Sequence, residues 1–156
     1  MKYWERFKTY KERGEWVELQ FMAQAAKRRF AVCTPWGAMR PYDVGIEHGS
    51  HLLRVQVKST TCRIGAGYYC QCMPNHQTKN NHYKLQELDL FAAYVIPLDV
   101  WYLIPAALIL GTRTITGVAL SPLVPPKKRI SYRYECYREA WGLLSKSRRE
   151  LLHYGR

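Results

Sequence analysis

Asp43 and the run Gln56-Val57-Lys58 lie on either side of a short turn, in the segment RPYDVGIEHGSHLLRVQVKST at residues 40–60. A carboxylate, an amide and an ammonium group held together suit metal-assisted hydrolysis of a phosphodiester. Hard cations such as Mg²⁺ prefer oxygen donors, and carboxylate, amide and backbone carbonyl all supply them. An ammonium beside them can orient the attacking water or offset the negative charge that develops at the phosphate. Whether the groups meet depends on the turn. Gly49-Ser50, with Gly first, suits a two-residue type II′ hairpin. His48 then faces His51, and the same register puts Asp43 opposite Gln56. Side chains alternate across a strand, so Asp43, Gln56 and Lys58 share one face. Tyr42, Val44, Ile46, Leu53, Val55 and Val57 take the other and can pack into a core.

The elements that must carry this hairpin are legible on both sides of it. Residues 12–29 read as a helix, with Leu19, Met22, Ala23, Ala26 and Phe30 at the spacing of a buried stripe. Glu18 borders that stripe, one turn before Met22. Residues 30–34 suit a short strand, residues 42–48 and 51–59 the hairpin strands, and residues 67–72 a further one. The apolar runs 90–96 and 100–104 suit strands buried on both faces. Residues 74–84 are polar and turn-rich, the composition of a loop near a substrate. Residues 111–128, rich in Pro and Gly, read as a surface connection, and residues 134–146 as a closing helix followed by a basic tail at 146–149. Residues 1–156 form a single domain, with no repeat and no linker.

In this order and at these spacings the segments resemble the PD-(D/E)xK nuclease superfamily, with Tyr42-Asp43 followed by Gln56-Val57-Lys58 as its signature. The closer likeness is to group I intron-associated PD-(D/E)xK endonucleases, where a QxK form is familiar. GEWVELQFMAQAAKRRF, GYYCQCMPN, LDLFAAYVIPLDVWYLIPAALI and YREAWGLL extend it over most of the chain. The resemblance implies an α/β, restriction-endonuclease-like fold: a mixed central β-sheet flanked by helices, in α-β-β-β-α-β order. It implies a metal-dependent endonuclease acting on DNA, most often duplex, as homing or restriction enzymes do. Other classes on the same fold are a nucleic-acid-binding module that has lost cleavage and a junction-resolving nuclease.

By that likeness Glu18 supplies a second carboxylate from the first helix. Glu18, Asp43, Gln56 and the Val57 carbonyl then hold Mg²⁺, with Mn²⁺ as a possible substitute, and Lys58 acts on the water or the phosphate. Glu15, one turn earlier, is the rival of Glu18. Glu47 shares the strand face of Asp43 but lies four residues away, roughly 13 Å, too far to share one ion. The neutral Gln56 stands where the family consensus has an acid. The site therefore carries one negative charge fewer, which leaves the number of bound ions open.

Composition supports a nucleic-acid partner. The 156 residues carry 24 basic and 12 acidic side chains, a net charge of +12, and so large an excess favours a polyanion. Candidate phosphate contacts are Lys27-Arg28-Arg29, Lys127-Lys128-Arg129 and Arg148-Arg149, with His76, Lys79 and Asn80 in the polar loop. Tyr68, Tyr69 and Asn81 are candidates for reaching bases. The longest apolar run, residues 100–110, is interrupted by Pro105 and too short to span a bilayer. With no signal-peptide pattern, five cysteines suit reduced thiols in a cytoplasmic protein. Cys70-x-Cys72 with His76 and His82 has a spacing unlike a zinc site and fits strand thiols better. No phosphate-binding glycine loop and no nucleophile–histidine pair is evident. A nuclease this small cuts both strands most simply by pairing subunits, so a homo-oligomer (dimer or tetramer) is expected, with Trp101 and Trp141 as candidate interface groups.

Overall fold

Strands β2 (Val44–His48) and β3 (His51–Thr60) form the hairpin that Gly49-Ser50 suggests. Gly49 has φ of 58° and Ser50 is not among the residues with positive φ, as a type II′ turn requires. His48 pairs with His51, and the register runs back to Val44 opposite Val55. Val44, Ile46, Leu53 and Val55 are fully buried in one core cluster, with Val57 beside them. Tyr42 departs from the expectation. Pairing with β3 begins only at Val44, so strand alternation does not bind Tyr42, which packs against the other core cluster. The computed structural model describes residues 1–37, 39–74, 82–111, 115–125, 127–128 and 132–154.

The hairpin supplies two strands of a five-stranded sheet, ordered β1 (Ala31–Cys33), β2, β3, β6 (Leu90–Val95) and β7 (Val100–Pro105). Only β3 and β6 run parallel; the other pairs are antiparallel. Every residue of β6 and β7 is buried, as their continuous apolar sequence requires. A smaller sheet, β4 (Arg63–Ile64), β5 (Gly67–Gln71) and β8 (Gly117–Leu120), packs on one side with helix α2 (Ala107–Leu110). Helix α1 (Tyr10–Lys27) and the C-terminal helix α3 (Arg148–His153) cover the opposite side. The mixed sheet flanked by helices is the restriction-endonuclease-like architecture. The opening α-β-β-β of the expected order is α1-β1-β2-β3. Between β3 and β6 the described residues form β4 and β5, and the helical turn α2 follows β7.

Four local expectations change. The buried stripe of α1 is Val17, Phe21 and Ala25, whereas Leu19 is 60% exposed. The helix offers apolar residues on two sides, and the larger ring decides between them. Phe21 lies 5.6 Å from Trp101 and 5.7 Å from Trp141, ring centre to ring centre, and buries more apolar area than Leu19 would. Trp101 and Trp141 are therefore core residues and are not available as the interface expected of them. Residues 111–128 are more than a connection: β8 pairs with β5, and Val118 and Leu120 are fully buried. Residues 134–146 form two 3₁₀ turns, Glu135–Tyr137 and Trp141–Ser145, with Glu139 at φ of 51° between them; the closing helix begins later, at Arg148. Cys70 and Cys72 lie inside the second core, where burial pushes the Cys70 thiol up to about 12. Among the described residues, no helix is long and apolar enough to cross a membrane.

Candidate active site

The site is built where β2 stops and β3 continues. The Asp43 N–H donates to the Val55 carbonyl at 3.0 Å, the last backbone bond between the two strands. Its carboxylate Oδ2 then accepts the Val57 N–H at 2.8 Å and the Gln56 Nε2 at 2.5 Å. Asp43 thus ends the ladder with its side chain. Alternate residues of a strand turn their N–H and C=O to the same edge, and the Val57 N–H faces Asp43. The Val57 carbonyl therefore faces the same vacated edge. The result is a notch along β3 beyond Val55, with one wall from α1 and the other from β5 and the segment before β6.

Glu18 enters the notch from α1. Burial first, and then the negative charges of Asp43 and Glu15, raise its carboxyl to about 7 against the opposing Lys58 ammonium. Asp43 is also raised by burial, while the Val57 N–H, Lys58 and Gln56 pull it back. The two carboxylates repel, and a proton between them favours Glu18, which lacks the hydrogen bonds that Asp43 accepts. Glu15 points outward: its side chain is 63% exposed and lies 3.9 Å from Lys11. Glu47 is exposed towards the hairpin turn.

Lys58 stands on the other wall. Its Nζ donates to Tyr83 Oη at 3.0 Å and to the Met73 carbonyl at 3.3 Å, and lies 5.3 Å from the centre of the Tyr83 ring. Tyr83 is wedged edge-on against Phe91 of β6, and burial raises its phenol while Lys58 opposes the shift. Sequence alone gives Tyr83 no distinction. It lies within the polar stretch 74–84 and stands 25 residues from its partner.

Asp43, Gln56, Val57, Lys58 and Glu18 therefore converge. The Lys27-Arg28-Arg29 cluster and Arg148 do not join them. Lys27 and Arg29 are exposed at the far end of α1, about 14 Å along the axis from Glu18. Arg28 is stacked over Trp141 at 4.2 Å and bonded to Gln24. Arg148 is bonded to Asp89 and to the Gln86 carbonyl. Tyr68 is buried in the second core, and the Tyr69 hydroxyl meets Thr116. Lys127 and Lys128 are exposed. His76, Lys79, Asn80, Asn81 and Arg129 lie outside the described residues.

The donor set suits a hard divalent cation: two carboxylates that repel without one, and a backbone carbonyl at the same edge. Among the described residues no group of three or more His, Cys, Asp or Glu could by itself hold a metal, so an ion here would also draw on the Gln56 amide or the Val57 carbonyl.

A strand-edge carboxylate followed by a QxK strand, with a glutamate from the first helix, is the arrangement that the sequence resemblance implies. The profile of the PD-(D/E)XK endonucleases matches residues 8–139, and the chain belongs to that family. It is similar in fold to the structure of the bacterial homing endonuclease I-Ssp6803I, with a TM-score of 0.69 and 24% identity over 89% of this chain and 93% of that one. No curated protein matches the chain.

Proposed function

We propose that this nuclease hydrolyses phosphodiester bonds in double-stranded DNA with the help of a divalent cation, Mg²⁺ or in its place Mn²⁺. The observation that carries this reading is the convergence of Asp43, Glu18 and Lys58 at the free edge of β3. Glu18, Asp43 and the Val57 carbonyl would hold the ion. Gln56 would join them after a half-turn of its amide exchanges nitrogen for oxygen. The cation, when bound, acidifies a water molecule and neutralises charge on the phosphate. Lys58, steadied by Tyr83, holds its ammonium where charge accumulates in the transition state. A second copy would cut the opposite strand, so the active form would be a homo-oligomer.

Cleavage of plasmid DNA with Mg²⁺, with Mn²⁺ and with EDTA tests the proposal. Wild type should cut only with metal. Asp43→Asn and Lys58→Ala should fail to cut while binding duplex nearly as well, since each changes one charge among many. The hydrogen bond from Gln56 to Asp43 favours a second reading, a binding module that no longer cuts. Duplex binding without metal-dependent cleavage by wild type would select it.

A further inference from the structure

The notch does not end at Lys58. Following β3 for three residues, roughly 10 Å, leads to Thr61; following α1 back from Glu18 for five residues, roughly 7.5 Å, leads to Arg13. Thr61 and Arg13 line one hollow of about 410 Å³, whose rim also carries Lys2, Trp4, Arg63 and Pro97. Lys58 and Arg13 both act electrostatically on Cys70 of β5, so the two charges flank the same part of that strand. The hollow gathers three cations, Lys2, Arg13 and Arg63, against the single carboxylate of Glu5, which is already bonded to the Lys2 N–H at 3.0 Å. Among the described residues neither guanidinium is paired with a carboxylate. Arg13 rests over the Tyr10 ring at 5.1 Å, and Arg63 Nε donates to the Gly65 carbonyl at 3.2 Å, so both are oriented with their remaining donors free for a ligand.

We propose that this hollow seats the sugar-phosphate backbone of the cleaved strand next to the scissile bond, with Arg13 and Arg63 as its phosphate contacts. The inference rests on the nuclease reading above and adds a binding site to it. A hollow roughly 7–10 Å from Glu18 and Lys58 is within reach of the phosphates that neighbour the scissile one, since each step along a strand advances about 3.4 Å of axis. Guanidinium groups suit phosphate oxygens better than scattered lysines, because their donors form a planar fork. The two arginines lie 50 residues apart in the sequence, and only the fold brings them to one hollow.

The test is fluorescence anisotropy of a labelled duplex oligonucleotide, in Ca²⁺ so that binding is read without cutting, over a series of salt concentrations. Arg13→Ala and Arg63→Ala should each weaken binding and lower the slope of log affinity against log salt by about one. Arg13→Lys and Arg63→Lys should restore the slope, which separates lost charge from lost fold. Alanine variants that keep the wild-type slope would overturn the proposal. If wild type cleaves while those slopes stay unchanged, this seat alone is wrong. If the slopes fall but no metal supports cleavage, the seat stands and the catalytic reading falls.

Discussion

Glu18 carries the sharpest test at the scale of single residues, because its carboxyl is raised to about 7 from an ordinary 4.5. A raised carboxyl means that the native state binds more protons than the unfolded one between those values. Its contribution to stability is therefore fully present below about pH 4.5 and is lost as pH rises through 7. Without metal, Glu18→Gln should match wild type in melting temperature near pH 4.5 and exceed it above pH 7. The gain should be on the order of 1–2 kcal/mol, discounted because the group is half exposed, or about 2–4 °C per kcal/mol. Melting curves in EDTA across that range decide it, and a constant difference would remove Glu18 from the carboxylate pair. Tyr83→Phe keeps the ring beside Lys58 and removes the hydroxyl acceptor. It should lower kcat several-fold with little change in duplex affinity, and shift the alkaline limb of the rate profile. An unchanged profile would leave Tyr83 a packing residue. Asp43, Gln56 and Lys58 were legible in the sequence because one two-residue turn sets their register. Glu18 needed the family likeness to separate it from Glu15, since helical periodicity allowed both. Tyr83 was not legible, because nothing local ties it to Lys58.

At the scale of elements, β3, β6 and α3 meet on one buried carboxylate. Asp89, 4% exposed, accepts Arg54 through its backbone N–H at 2.8 Å and its Nε at 3.1 Å, and Arg148 Nε at 3.1 Å. Removing that charge leaves two guanidinium groups without their partner. Asp89→Asn should cost about 2–3 kcal/mol, less than a wholly buried pair because both arginines reach solvent. Urea titration measures it, and a loss below about 0.5 kcal/mol would mean that solvent replaces the bonds. The strands with continuous apolar sequence were read correctly. Burial on both faces leaves β6 and β7 no alternative. The elements misread are those settled by distant partners. Gly117–Leu120 is a strand because β5 offers it an edge, and residues 134–146 break into 3₁₀ turns because Glu139 must reach Trp101.

At the scale of the whole molecule, a net charge of +12 makes duplex binding a counterion-release process. If six to ten phosphates are neutralised, affinity should fall about 10³–10⁵-fold between 50 and 200 mM salt. A flat response would deny an extended contact with the backbone. Composition anticipated the charge but not its placement, since Lys27 and Arg29 lie at the far end of α1 and Arg28 and Arg148 bond to their own chain. The placement of Glu139 bears on how copies can meet. Its N–H donates to the Trp101 carbonyl at 2.8 Å, its Oε1 accepts the Trp101 N–H at 2.7 Å, and Arg138 bridges Tyr102. The outer rim of β7 is thereby stitched to its own chain at Trp101 and Tyr102, which opposes two molecules joining their sheets there into one continuous ribbon. An assembly on this side of the molecule fits surface against surface, where individual side chains decide the match, and the same stitching protects a wholly apolar strand from recruiting strangers.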